Sequence, residues 1–500
     1  MARTIPELFD GAVAEVPDKT WLRFEDDEFT YAQARERIGR AAAALAERGV
    51  GRGDLVFATA RNRPDYLFAW LGAVRLGAIY VPSDPRGTDA ELGGLAGQVR
   101  PKLIVSDGEP APPVAEALAA VAPVVDVHEL FEAEGDAPAA AREDDPAVLI
   151  PTSGTTGRSK LVTQTHRAYA MAAEGFPWWM ELTPDDRLMT SLPLFHINAP
   201  TYSALGSVAA RAGLVLLPGF SGSTFIDSAR RFGATEFNAI GAMLEILMLQ
   251  PERPDDADNP LRLCYTGPSP TEERQLEIEE RFGLRIVCGY AMSETPYGLI
   301  WKHGTRPYGT LGSPRQHPEL GHVNDARVMS DGAPVAAGEI GELQLRNPAV
   351  MKGYWGMPEE TVEVLLPDGW LRTGDLVRDN GDGTYTFIGR EKEVIRRRGE
   401  NVSPAEIEEV LMSHPDVVEA AVVGVPSELT EEEIKGFCVV RDVDLETVRG
   451  WAAERLTRFK VPRYLEAVDE LPHTPTGRVA KHRLPRERNE REIDFEGARR

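Results

Sequence analysis

Along this chain, short apolar runs alternate with stretches whose apolar residues recur at helical spacing. Leu22-Arg23-Phe24 and Glu28-Phe29-Thr30-Tyr31 predict a hairpin, and residues 32–48 predict a helix. Val56-Phe57-Ala58, a helix over 65–76 and Ile79-Tyr80-Val81 read as strand, helix, strand, with Leu103-Ile104-Val105-Ser106 a further strand. Residues 108–145, rich in Ala, Pro and Glu, predict a helix and loops around a strand at Pro123-Val124-Val125-Asp126. Helical patterns over 225–232, 239–249 and 271–282 enclose strands at Leu263-Cys264-Tyr265 and Arg285-Ile286-Val287. This alternation predicts an α/β fold, a large amino-terminal domain of mostly parallel sheets flanked by helices.

The pattern changes after Gly338 to short strands and turns, a small β-rich subdomain with residues 379–384 as a hairpin tip. That tip lacks the alternating ligands and closing glutamate of a calcium loop. From Arg390 the chain reads as a compact α+β module. Ser403-Pro404-Ala405-Glu406-Ile407 opens a helix with a capping residue and a proline in the first turn. Residues 486–500 are charged and read as a frayed end. The expected domains are 1–389 and 390–500.

Five hundred residues exceed what one core organises, in keeping with two domains. The net charge of −24 disfavours nucleic acid and anionic membranes, and it means that an anionic substrate needs a locally positive site. No apolar stretch approaches the ~20 residues needed to span a bilayer, and the amino terminus has no signal-like apolar core. Cys264, Cys288 and Cys438 are widely separated and odd in number, which speaks against a disulfide framework or a zinc site and for a reducing cytoplasm. Only nine of the 55 basic residues are lysine, so each lysine kept against that bias draws interest.

Pro151-Thr152-Ser153-Gly154-Thr155-Thr156-Gly157-Arg158-Ser159-Lys160 carries the most chemistry. Ala147-Val148-Leu149-Ile150 before it reads as a buried strand that launches the loop in a fixed direction. Glycines let backbone N–H groups approach phosphate oxygens, hydroxyls add donors, and lysine supplies a mobile charge. It is not a Walker A loop, because Lys160 follows Ser159 and precedes Leu161. A plain Ser/Thr/Gly surface turn is the alternative.

The other motifs, in order, are Leu194-Phe195-His196, Gly289-Tyr290-Ala291-Met292-Ser293-Glu294-Thr295, Gly338-Glu339-Ile340-Gly341-Glu342-Leu343, Gly369-Trp370-Leu371-Arg372-Thr373-Gly374-Asp375-Leu376 and Ile388-Gly389-Arg390-Glu391-Lys392. Together with the loop, they resemble the adenylate-forming enzymes (acyl-CoA synthetases, peptide-synthetase adenylation domains and firefly luciferase) along nearly the whole chain. The carboxy-terminal segments Gly399-Glu400-Asn401-Val402-Ser403 and Arg458-Phe459-Lys460-Val461-Pro462-Arg463-Tyr464-Leu465-Glu466 are similar to crotonobetaine/carnitine-CoA ligases.

The resemblance implies ATP, Mg²⁺ and CoA, and a carboxy-terminal domain that moves about a hinge at Lys392. It assigns the phosphates to Thr152, Ser153, Gly154, Thr155, Thr156, Gly157 and Lys160. The base falls to Gly267, Pro268, Ser269, Gly289, Tyr290, Ala291 and Met292, with Ser293 offering a hydroxyl to the α-phosphate. Glu294 would hold Mg²⁺, and Asp375 and Arg390 would hold the ribose. His196 would lie beside the substrate carboxylate. Amino-acid-activating relatives carry aspartate there to pair an ammonium group, so amino-acid substrates are disfavoured. Gly399, Lys460 and Arg463 are the CoA candidates, with ordinary surface charge the alternative for the two cations.

Two positions depart from the family. Arg398 stands where many CoA ligases have a small glycine. In Gly477-Arg478-Val479-Ala480-Lys481, arginine replaces the late catalytic lysine and a lysine follows three residues on. Arg478 is expected to bridge carboxylate and α-phosphate, with Lys481 in support. The expected activity is acid activation through an acyl adenylate, then transfer to CoA. Transfer to an amine, a carrier-protein thiol or another nucleophile is the alternative, and a nucleotide-binding regulator a remote one.

Overall fold

The computed structural model describes residues 4–108, 110–152, 159–267, 269–397, 400–427, 432–473 and 479–495. The chain divides into two compact units, one of residues 1–326 with 345–371 and the other of 327–344 with 372–500. The second unit thus takes in most of the β-rich subdomain as well as the carboxy-terminal module.

The first unit holds two sheets. In the six-stranded sheet the order is Val124–Asp126, Leu103–Ser106, Leu55–Thr59, Ile79–Ser83, Pro146–Thr152 and Lys160–Thr165. All neighbours are parallel except the last pair, an antiparallel hairpin in which Thr152 faces Lys160. In the nine-stranded sheet the parallel core is Arg285–Met292, Leu263–Thr266, Glu236–Asn238, Arg187–Thr190, Gly213–Leu216 and Thr20–Phe24, with antiparallel strands at both edges.

Helix Pro64–Arg75 is apolar all round and buried at every position but Asp65, as expected of a helix covered on all faces. Helix Tyr31–Glu47 shows the amphipathic stripe and a reciprocal capping box between Thr30 and Gln33. Helix Ile5–Glu15, with Thr4 as cap and Pro6 in the first turn, has the same logic but is not anticipated from the periodicity.

The second unit carries a five-stranded sheet that includes Ile340–Arg346, Leu371–Asp379 and Tyr385–Arg390. The tip of the last hairpin is a plain turn closed by Asp379 and Asp382 accepting backbone N–H bonds. The module beyond it contains a four-stranded sheet and helix Pro404–Met412, capped by Ser403 Oγ accepting from Glu406 N at 3.4 Å.

One expectation is corrected. The charged end is not frayed throughout: Glu492–Asp494 is a strand pairing with Tyr464–Ala467. Buried Lys435 makes this possible, because its Nζ lies 2.9 Å from Glu466 and 2.8 Å from Glu492, so the carboxylates enter the sheet paired.

Candidate active site

Ligand sites in open α/β sheets form beyond the carboxyl ends of the strands. In the nine-stranded sheet those ends lead into residues 191–198, 239–241 and the turn at 293–294, which hold His196, Ser293 and Glu294, while Gly267 follows strand Leu263–Thr266 directly. The loop bearing His196 is fixed by Asn62, whose Nδ2 donates to Leu192 O and Leu217 O and whose Oδ1 accepts from Leu194 N at 2.9 Å. His196 is half-buried and packs against Phe195, the ring centres 4.5 Å apart and the planes tilted by 60°. It lines a small cavity with Tyr66, Trp70, Tyr80 and Tyr169. Asn198 Oδ1 accepts from Asn238 Nδ2 at 2.7 Å. The following turn, Ala199–Ala204, is a π-helix, a wide helical turn frequent at functional sites.

Gly267 touches the strand that carries Tyr290. A Cβ on Gly267 would lie 2.1 Å from Gly289 O, a backbone atom that cannot swing aside. Gly267→Ala should therefore force the two strand ends apart and cost about 1–3 kcal/mol of stability. Calorimetry should register a lower unfolding midpoint; an unchanged midpoint would mean that the strand ends are slack.

Strand Arg285–Met292 turns back directly into Thr295–Ile300, with Met292 facing Thr295. Ser293 and Glu294 are thus the two residues of a hairpin turn. Gln164 Nε2 donates to Ser293 O at 2.7 Å, tying this turn to the strand that starts at Lys160. Lys160 Nζ sits 4.5 Å from the centre of the Tyr354 ring, and Tyr354 Oη donates to Glu294 Oε1 at 2.9 Å. The hairpin and these contacts bring Thr152, Lys160, Ser293 and Glu294 together. Ser153, Gly154, Thr155, Thr156, Gly157 and Pro268 lie outside the described residues. Ser269, half-buried, donates Oγ to Pro270 O. Tyr290, Ala291 and Met292 are half-buried on the strand end, with Tyr290 Oη donating to Met292 Sδ at 3.6 Å.

In the second unit, Asp375 and Arg390 face each other across antiparallel strands. Asp375 has 2% of its side chain exposed and Arg390 43%, with Asp375 Oδ1 2.9 Å from Arg390 Nε. The sequence places both on one nucleotide contact; the fold makes them partners. Lys392 lies in a single helical turn, Glu391–Glu393. Arg398, Gly399 and Arg478 lie outside the described residues.

Three predicted cations have carboxylate partners. Lys460 Nζ lies 2.6 Å from Glu406, and Arg463 makes two 3.0 Å bonds to Asp494. A CoA phosphate would have to displace those carboxylates. Lys481 Nζ lies 3.1 Å from Glu393 and 2.8 Å from Glu408. Burial alone would lower the Lys481 pKa, but the Glu408 and Glu393 carboxylates outweigh it and the ammonium is held above its ordinary value.

Arg315 is among the residues that sequence reasoning missed. It is fully buried, donates Nε to Leu299 O at 3.0 Å and Nη1 to Tyr202 Oη at 2.9 Å, and also bonds Tyr265 Oη. It thereby braces the π-helix against the strands beneath the Tyr290 segment. A lone arginine among many gives no sequence signal for this. Tyr354 was missed too, although Lys352-Gly353-Tyr354-Trp355 places one of the chain's nine lysines next to an aromatic pair.

Parallel strands that end in a close-packed glycine, an aromatic and a single carboxylate, beside a strand pair in which Thr152 faces Lys160, suit an adenylate-forming enzyme. Residues 9–355 match the family described as AMP-binding enzyme, and residues 406–478 match the AMP-binding enzyme C-terminal domain. The chain belongs to this AMP-binding enzyme family. It is 31% identical over 517 aligned positions to crotonobetaine/carnitine–CoA ligase of Salmonella agona, covering 96% of this chain and 99% of that one. Among solved structures it is similar to ATP-bound MatB from Rhodopseudomonas palustris, 29% identical with a TM-score of 0.86 over 96% of this chain and 98% of that one. It is also similar to o-succinylbenzoate CoA synthetase of Bacillus subtilis in complex with ATP and magnesium, 26% identical with a TM-score of 0.85 over 95% of this chain and 98% of that one.

Proposed function

We propose that this chain is an AMP-forming acyl-CoA synthetase acting on a small carboxylic acid. The observation that carries the reading is the grouping of Lys160, Tyr354 and Glu294 at the mouth of the Thr152–Lys160 hairpin. Substrate carboxylate attacks the α-phosphorus of ATP, the bond to the β-phosphate oxygen breaks, and pyrophosphate leaves. The thiolate of CoA then attacks the acyl carbonyl and AMP departs with the electron pair. In the first step two anions meet, so the protein must neutralise charge and align the partners. Lys160 and the 152–160 loop serve the β- and γ-phosphates, Tyr290 stacks on the base, and Asp375 with Arg390 takes the ribose. His196 borders the acid.

Mg²⁺ fits the donor set. Glu294 is a half-buried carboxylate, and the described residues contain no group of three or more His, Cys, Asp and Glu side chains placed for a metal. One carboxylate plus phosphate oxygens and waters is how this ion is commonly held. When bound with ATP it neutralises phosphate charge.

A reducing cytoplasm suits the three cysteines, all buried and free. Burial pushes the Cys438 thiol up to about 12, leaving it unreactive. Among the described residues no helix is long and apolar enough to cross a membrane.

The test is a panel of carboxylic acids assayed for pyrophosphate release with and without CoA. Acid-dependent pyrophosphate release followed by CoA-dependent AMP release is the expected result. Pyrophosphate exchange that CoA never converts to AMP release would point to another acceptor.

Lys392, one residue from Glu393, is the proposed hinge between the two half-reactions. Lys392→Pro fixes φ and removes an N–H, so it should change adenylation and thiol transfer unequally. Equal losses in the two half-reactions, measured separately, would place the hinge elsewhere.

A further inference from the structure

Tyr354 touches both charged groups of the proposed phosphate site, and its backbone is unusually well held. Gly353 before it has φ +134°, and a Cβ there would meet Thr361 Cγ2 at 2.7 Å, so only glycine lets the chain pass this close to helix Pro358–Val364. Tyr354 N then donates to Thr361 Oγ1 at 2.9 Å. On the other side the segment covers the edge strand Lys160–Thr165: Lys352 N donates to Thr163 O, Thr163 N to Gly353 O and Trp355 N to Leu161 O. Met351 N donates to Glu294 O at 2.8 Å, so the same five residues also grip the hairpin turn. Tyr354 itself is buried.

The side chain uses its two chemistries in two directions. The negative face of the ring lies under the Lys160 ammonium, and the hydroxyl donates to Glu294 Oε1. Lys160 has a long flexible stem and Glu294 sits on a two-residue turn, and one rigid aromatic touches both.

We infer that Tyr354 is a positioning residue for the nucleotide's phosphate tail: it fixes the Glu294 carboxylate for the divalent cation and the Lys160 ammonium for the phosphates. This rests on the ligase reading above. The hydroxyl acts through Glu294 and so governs cation dependence. The ring acts through Lys160 and so governs nucleotide affinity when the cation is saturating. A tyrosine that merely packs would affect folding and leave both untouched.

The experiment uses the full chain and three variants, Y354F, E294Q and Y354F/E294Q. ATP binding is followed by titration calorimetry across a series of Mg²⁺ concentrations, alongside unfolding midpoints and acid-dependent pyrophosphate release. Phenylalanine keeps the ring, so Y354F should bind ATP within about threefold of wild type at saturating Mg²⁺. The Mg²⁺ concentration that half-maximally tightens ATP binding should rise about tenfold, the worth of one hydrogen bond to a charged group. The double variant should be no worse than E294Q alone, because the inferred action of the hydroxyl on the cation runs through Glu294. A Y354F protein with wild-type Mg²⁺ dependence overturns the inference. So does a double variant whose defects simply multiply, or a lowered midpoint with a uniform loss at every Mg²⁺ concentration. If wild type itself binds ATP without regard to Mg²⁺, the site reading fails first, and that result is distinct from a silent Y354F.

Discussion

Asp375→Ala should lower kcat/KM for ATP by roughly tenfold to about twenty-thousandfold, with most of the effect in KM. A carboxylate has two oxygens and can accept from both ribose hydroxyls, and each hydrogen bond to a charged group contributes about 1.5–3 kcal/mol. At about 1.4 kcal/mol per factor of ten, losing one or both gives that range. Position supports the assignment: the group is almost fully buried on a strand, with its cross-strand neighbour Arg390 2.9 Å away. Asp375→Asn retains one acceptor oxygen and should fall between wild type and alanine. Arg390, with much of its side chain exposed, should cost less when truncated. Titration calorimetry decides the matter, since an Asp375→Ala protein that binds ATP as tightly as wild type would sink the ribose assignment.

Much of this site is legible in the sequence because its parts are local. Thr152 and Lys160 sit on one hairpin, so a single motif marks them. Asp375 and Arg390 belong to adjacent strands joined by a turn that Asp379-Asn380-Gly381 announces, and their register follows from it. Helix starts are equally local: Thr30 with Gln33 and Ser403 with Pro404 are readable without any tertiary knowledge. What stays hidden is set by contacts between distant segments. Tyr354 meets Glu294 across sixty residues of sequence, and no periodicity links them. The π-helix at Ala199–Ala204 depends on Arg315, more than a hundred residues away. Buried Lys435 explains why a charged tail becomes a strand. In each case a buried polar group found its partner through the fold, and composition carries no trace of that choice.

The last expectation separates two cations only three residues apart. Adenylation brings together a carboxylate and a triphosphate, and a late cation must bridge them. Lys481 is poorly placed to do so. It has 18% of its side chain exposed and lies between Glu393 and Glu408, and Glu408 also accepts from Val422 N at 2.6 Å. A lysine engaged by two carboxylates would have to leave both to reach a substrate anion. We therefore propose Arg478 for the catalytic work, since arginine can fork across two oxygens although it is wider and more rigid than lysine. Arg478→Ala should slow acyl-AMP formation by ten- to a hundredfold, about 1.4–2.7 kcal/mol of transition-state stabilisation. It should leave transfer from preformed acyl-AMP to CoA, and the unfolding midpoint, close to wild type. Lys481→Ala should do the reverse. It strands the mostly buried Glu408 carboxylate, costs about 1–3 kcal/mol of stability, and slows adenylation only to the extent that the module loosens. Pre-steady-state measurement of both half-reactions, paired with calorimetry on both variants, reads the two patterns independently. If Lys481→Ala abolishes adenylation at unchanged stability while Arg478→Ala is silent, the bridging cation is Lys481, and its carboxylate partners must release it during turnover.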